Sequence, residues 1–293
     1  MQKQTKHYPG WFVVLRKYIL RNPRALIGIF IILFFAAVAI FAPRLATANP
    51  KSIEFFPWEK PSGEHILGTN SYGQDVFSQV VYGARVTLLV GILAGVLTSL
   101  IGTAVGLIAG YKGGAVSEVL MRIVDVFLAI PSLAFTIVIA SMLPKMTVTS
   151  TILVIGALNW MWMARSVRSQ TLSESRRDYV DAAKALGMSD MEIMFKEILP
   201  NIIPVITANM VMVITQAMLT EASLSFLGIG DPSAISWGKM LSTAFDSGAI
   251  IYEAWNWILP PGLCIATLGY SFMLIGNSFL DIYANDRGGA VKL

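Results

Sequence analysis

This sequence predicts an all-α polytopic membrane protein with six transmembrane helices, and three observations carry the prediction. Hydrophobic residues make up 55% of the 293 positions and charged residues 14%, against roughly 25% charged in soluble domains. The mean hydropathy is +0.64. Six apolar runs recur at residues 26–42, 87–111, 119–143, 148–163, 202–227 and 257–280, each near the ~20 residues a helix needs to cross ~30 Å of hydrocarbon. Such a composition excludes intrinsic disorder, which requires low hydrophobicity and high charge. It also leaves too little polar surface for two water-soluble domains. One cysteine, Cys264, and two histidines, His7 and His65, exclude a disulfide framework and argue against a structural zinc site.

The first run follows a long basic stretch containing Lys3, Lys6, Arg16, Lys17, Arg21 and Arg24 without an acid. Ala46-Thr47-Ala48 resembles a cleavage site, but the length of the basic region and of the run favours an uncleaved anchor. A second basic cluster, Arg165, Arg168, Arg176, Arg177, Lys184 and Lys196, follows the fourth run. Basic segments stay on the cytoplasmic side, so both clusters and both termini are expected inside. The net charge of +4 then reads as topology, with no nucleic-acid partner. Residues 44–84 form a long first external segment, in which 76–82 is either an interfacial elbow or a contact for an external partner. Residues 68–75 have the glycine spacing of a phosphate loop, but Gln74 stands where the lysine is needed and no buried strand precedes it.

In the second run Gly91, Gly95, Gly102, Gly106 and Gly110 share one face, which lets another helix approach closely. The third run carries Arg122 and Asp125, three apart on one face and able to pair, and Pro131. Glu221 lies near the outer end of the fifth. Ionisable groups in a span are costly and so are functional candidates; structural pairing is favoured here over a proton relay. The fourth run ends at the polar group Asn159, Trp160, Trp162. Residues 228–256, with Asp231, Trp237, Asp246 and Trp255, form either an external partner contact or a lid on the bundle.

Residues 178–200 are too polar for the bilayer and too well patterned for a loose loop. Residues 179–186 are alanine-rich, Gly187 is placed as a C-terminal cap, and Ser189 with Glu192 has capping-box spacing. A second helix with Ile193, Met194, Phe195, Ile198 and Leu199 then runs to Pro200. This helix–turn–helix either rests on lipid or docks a cytoplasmic partner. The small alanine face favours docking.

Here the sequence resembles a known family. Asp181-Ala182-Ala183, Gly187 and Leu199-Pro200 are similar to the EAA loop of bacterial ABC importer permeases, with Asp181 for the usual Glu and Glu197 at an isoleucine position. Three further blocks carry the likeness. His65-Ile66-Leu67-Gly68-Thr69 with Tyr82-Gly83-Ala84-Arg85 looks like the segment leading into the permease domain. Met121-Arg122-Ile123-Val124-Asp125 with Ala129-Ile130-Pro131-Ser132 fits as well. Glu221 to Gly230 followed by Ser236-Trp237-Gly238 resembles the C-type subunit of the dipeptide, oligopeptide and nickel subfamily. Gln74 and Gln79 stand where arginine is usual, and Asn277 and Leu280 also depart from the pattern. The resemblance implies a type I permease fold, divided into a tail at 1–25, a first helix and loop at 26–83, a five-helix domain at 84–281 and a tail at 282–293. It implies a non-catalytic permease subunit carrying peptides, or alternatively nickel or another small solute, across the bacterial cytoplasmic membrane. It implies a homologous second permease, an external solute-binding protein, and two cytoplasmic ATPase subunits that bind ATP and Mg, with no cofactor on this chain. Tyr179, Asp181, Ala182, Ala183, Gly187, Leu199 and Pro200 are its coupling residues. A secondary carrier or a membrane scaffold would fit the hydropathy but not these motifs.

Overall fold

The computed structural model describes residues 22–288, with side chains to Phe279. The basic residues Lys3, Lys6, Arg16, Lys17 and Arg21, His7, and the end of the 282–293 tail lie outside the described residues. Within them the secondary structure is helical, apart from one isolated bridge between Thr69 and Asp75.

Helix α1 spans Pro23–Leu45; Asn22 caps it by accepting the Arg24 N–H at 3.0 Å, and Pro23 sits where a missing N–H costs nothing. Helix α2, Val76–Lys112, has 37 residues and is therefore about 55 Å long. The 76–82 stretch is its buried opening, so no separate elbow exists there. Gly102, Gly106 and Gly110 let α2 lie against α6 (Met161–Glu174): a Cβ on each would sit 2.6, 2.6 and 2.5 Å from α6 atoms. Gly91 and Gly95 on the same face meet Met218 and Ile214.

The third expected span is broken. Helices α3, Gly114–Leu128, and α4, Ser132–Ser141, meet at 84°. Pro131 has no N–H to donate and disfavours helical backbone in Ile130. The fourth is broken too, into α5, Val148–Leu158, and α6. Asn159 donates its side-chain amide to the Ile155 carbonyl at 2.8 Å, satisfying an orphan acceptor where the helix stops. The count of six long spans is thereby not confirmed. Among the described residues four helices are long and apolar enough to cross a membrane, and five if the α3–α4 pair counts as one.

Helix α7, Asp178–Ala185, precedes α8, Asp190–Phe226. The helix that follows Ser189 is not the separate piece ending before Pro200 that the sequence suggested. Residues Ile193–Ile198 adopt π-helical pairing and run straight into the span. The change of register leaves the missing N–H of Pro200 without consequence, since the Leu199 N–H reaches back to Met194 O. Helix α9, Trp237–Asp246, and α10, Trp255–Gly288, complete the bundle. Trp237 and Trp257 are fully buried with Phe35, Leu88, Met218 and Leu268 where α1, α2, α8, α9 and α10 converge. The 228–256 segment is thus a lid, leaving Ile250, Ile251 and Tyr252 exposed at its tip.

Candidate functional site

The strongest candidate is the segment from Asp178 to Pro200. The chain leaves α7 through Gly187 at φ +80°, a left-handed conformation that only glycine adopts without strain. The Met188 N–H reaches Ala183 O at 3.2 Å and the Gly187 N–H reaches Lys184 O at 3.0 Å, the paired bonds of a Schellman cap. Two residues later Ser189 donates its N–H to Glu192 Oε2 at 3.1 Å and accepts the Glu192 N–H at 3.4 Å. The predicted C-cap and capping box both form, because each is specified by residues a few positions apart.

This hairpin has two unlike faces. Val180, Ala183, Ile193, Met194 and Ile198 are buried against Leu107, Met163 and Val167 of α2 and α6. Tyr179 belongs to that inner side: its hydroxyl donates to Glu174 Oε2 at 3.1 Å and accepts from Asn201 Nδ2 at 3.3 Å. Burial, then the adjacent Glu174 carboxylate, push the Tyr179 phenol well above its ordinary range. Leu199 is half-buried in the same seam. Asp181, Ala182, Gly187 and Pro200 point outward, and Asp181 meets only Lys184 at 3.5 Å. The seven expected coupling residues therefore divide between a seam and an open surface.

Sequence reasoning passed over Leu186 and Met191, and it grouped Phe195 with Ile193, Met194 and Ile198, yet these three dominate that open surface. Leu186 is 83%, Met191 60% and Phe195 52% exposed, forming an apolar patch on a segment held rigid from below. The signal was available: Met191 and Phe195 are four apart, off the face that carries Ile193, Met194 and Ile198. Asp190 accepts from Tyr111 Oη at 2.9 Å and pairs with Lys112, linking the hairpin to the C-terminal end of α2.

Of the charges predicted to lie in spans, Asp125 pairs differently from expectation. Asp125 does not pair with Arg122; its partner is Arg165 on α6. A cation three residues before an acid on one helix is the weaker orientation, and α6 packs directly against α3. Glu221 is 2% exposed and is bonded without a cation: Ser225 Oγ donates to it at 2.7 Å and Thr87 Oγ1 at 3.4 Å. It borders a cavity of about 10 Å³ shared with Asp231 and Ser236, and it joins α2 to α8 near their outer ends.

At the N-terminal end of α2, Asp75 is fully buried. It accepts the Ser78 N–H and the Thr47 hydroxyl, each at 2.8 Å, and lies 3.1 Å from His65 Nδ1. Burial alone would raise its carboxyl, but these donors outweigh it and hold the group below the ordinary value. The stretch resembling a phosphate loop is filled by its own chain. Asn70 Oδ1 accepts the N–H groups of Tyr72 and Gln74 at 2.9 Å, and a Cβ on Gly73 would stand 2.0 Å from Phe55 O. Gln74 and Gln79 bond each other at 2.8 Å. Among the described residues no group of three His, Cys, Asp or Glu side chains could hold a metal ion.

Comparison with known proteins identifies the family. Residues 102–286 match the family described as the binding-protein-dependent transport system inner membrane component. Residues 11–60 match the N-terminal transmembrane domain of oligopeptide transport permease C. The chain is 36% identical over 263 residues to the oligopeptide transport system permease protein OppC of Bacillus subtilis, covering 89% of this chain and 85% of that one. It is 35% identical over 280 residues to the dipeptide transport system permease protein DppC of Haemophilus influenzae, covering 92% of each. A putative peptide permease of Brucella suis is 32% identical over 267 residues, covering 90% of this chain and 87% of that one. The chain belongs to the binding-protein-dependent inner membrane permeases, in their OppC/DppC family; it is a non-catalytic, multi-pass subunit of a bacterial ABC transport system.

Proposed function

We propose that this permease and a homologous second permease form the path by which dipeptides or oligopeptides enter a bacterial cell, with residues 178–200 as the docking site for a pair of cytoplasmic ATPase subunits. Both termini lie in the cytoplasm, as the tails 1–25 and 282–293. The first helix and loop occupy 26–83 and the permease core 84–281. An extracytoplasmic solute-binding protein delivers the peptide to the outer side. ATP and Mg belong to the ATPase partners.

The observation that carries this reading is the exposed apolar patch of Leu186, Met191 and Phe195 on a hairpin whose other face is buried. Apolar side chains fixed on a rigid base suit a partner groove. Closure of the ATPases would move the hairpin, and α8 continues from it into the membrane without a break. A partner shifts an inward-open to outward-open equilibrium only through contacts that differ between the states. The hairpin would supply those contacts.

The test is a mild-detergent purification of the tagged chain from its native membranes, with identification of partners and an ATPase assay. A second permease and a nucleotidase should co-purify, and a bound solute-binding protein should retain peptide. Recovery of the chain alone, or uptake driven by ion gradients and indifferent to ATP, would overturn the proposal.

A further inference from the structure

We infer that the cleft between α3 and α6 is an oxyanion-binding vestibule at the inner end of the solute path, fitted to the carboxylate of a departing peptide. The inference rests on the importer reading above and adds residues to it.

Helix α3 has three flanks. Met121, Val124 and Phe127 form a seam with Met161, Ala164 and Trp160. Val119, Ile123 and Val126 are apolar and exposed. Glu118, Arg122 and Asp125, also exposed, follow the same spacing one residue earlier and so form a charged flank about 100° away. Charge facing hydrocarbon is costly. The apolar flank is the one that suits lipid or a second permease, which leaves the charged flank for water. That flank opens on a cavity of about 510 Å³ whose opposite wall is α6, carrying Arg168 and Leu172, with Arg176 in the turn just beyond the helix end.

The charges of the cavity do not cancel. Asp125 is held by Arg165. Arg168 donates Nε to Ser117 Oγ at 2.8 Å, keeping the rest of its fork free of any carboxylate partner among the described residues. Arg122 and Arg176 also lack one there. Three guanidinium groups therefore share the cavity with one free carboxylate, Glu118. Guanidinium forks match planar oxyanions with two parallel bonds. The volume lies in the range of small-molecule sites, roughly 300–1,000 Å³. A zwitterionic peptide would set its carboxylate among the arginines and its ammonium beside Glu118. The chemistry is shared with a phospholipid phosphate, and the experiment separates the two sources.

The experiment uses the complete importer in inverted membrane vesicles, carrying Leu172→Cys on a Cys264→Ala background. Leu172 lines the cavity without contributing charge. A sulfonate-bearing thiosulfonate reagent should label this position about tenfold faster than its quaternary-ammonium counterpart, the effect of a focused positive potential in a cleft. Arg122→Gln with Arg176→Gln should erase the preference, and the two lysine substitutions should retain it. A dipeptide should slow labelling while its C-terminal amide does not. Equal rates for the two reagents, or equal protection by acid and amide, would overturn the inference. A sulfonate preference that emerges only when anionic phospholipid is left out of the vesicles would assign the cavity to a headgroup and overturn the solute assignment. ATP-driven uptake by the unmodified complex is read separately. Its absence beside an intact labelling pattern would sink the importer reading and leave the vestibule standing.

Discussion

The two ends of α2, outer at Asp75 and inner at Lys112 in the topology proposed above, are held in opposite ways. At the outer end the Asp75 carboxylate is buried and saturated by Ser78, Thr47 and His65, with the amides of Asn70, Gln74 and Gln79 bonded around it. At the inner end Lys112 and Tyr111 meet Asp190 in the open, and α7 rests on an apolar seam edged by the bonds of Tyr179 to Glu174 and Asn201. Leaving a buried polar group unsatisfied costs about 1–3 kcal/mol, whereas an exposed ion pair contributes about 0–1 kcal/mol. The outer end is thus a fixed frame. The inner end is a firm but slidable base that presents Leu186, Met191 and Phe195 outward. A transporter subunit that must pass on movement from inside while keeping its outer framework is well served by that asymmetry.

The sharpest way to break the comparison is Gly187→Val. A β-branched residue at φ +80° is a steric outlier, and the open space around Gly187 shows that backbone conformation, not packing, demands glycine. Uptake should fall at least tenfold while the outer end keeps its stability; normal uptake would remove Gly187 from the coupling element.

Next in size is Asp75→Ala, which deletes the α2 cap and strands the Thr47 and Ser78 donors. Loss of a cap costs about 0.5–2 kcal/mol, so the melting temperature of the purified complex should drop by several degrees, with peptide-driven ATPase reduced only in proportion. The pH dependence has a definite sign. A carboxyl held below its ordinary value stabilises the fold at every pH above the unfolded value near 3.8, and that contribution disappears as pH falls through the lower folded value. The wild-type complex should therefore lose this part of its stability only below about pH 4, and Asp75→Asn should lack the step.

Glu221→Ala should cost about 1–3 kcal/mol by orphaning Ser225 and Thr87. Glu221→Gln, which keeps an acceptor, should cost less. If the two variants behave alike in thermal unfolding, the carboxylate is not joining α2 to α8.

Leu186→Ala with Phe195→Ala sharpens the inner side. Both side chains are exposed in this chain, so its own stability should change by less than about 0.5 kcal/mol. Recovery of ATPase subunits in the pull-down should nevertheless fall several-fold; full recovery would place the docking surface elsewhere. Smallest of all is Asp181→Lys, where an exposed 3.5 Å contact to Lys184 is lost. Insertion should be unaffected and ATPase retention modestly weaker, and the difference should shrink as salt rises.

How much of this was readable beforehand differs by element. The helical membrane class, the small-residue face of α2, the glycine cap and the Ser189–Glu192 box were all legible. The end of the fourth run at Asn159 and Trp160 was legible too, but the bend at 129–131 was not, although Pro131 was in view: hydropathy summed over a window is insensitive to a change of direction within it. The pairing of Asp125 with Arg165 was hidden because local spacing offers Arg122 and says nothing of which helix lies alongside. Tyr179 was grouped with the docking residues because its partners, Glu174 and Asn201, come together only on folding.

The sequence by itself determined whatever depends on bonds and dihedral angles within about five residues, and the hydrophobic lengths that commit the chain to a bilayer. The tertiary structure alone decided which face of each helix meets protein and which stays open, because that depends on neighbours distant along the chain. Leu186, Met191 and Phe195 are apolar like the buried Ile193, Met194 and Ile198; helical spacing divides Met191 and Phe195 from the second set, but only the packing of α2 and α6 beneath the hairpin decides which set is buried.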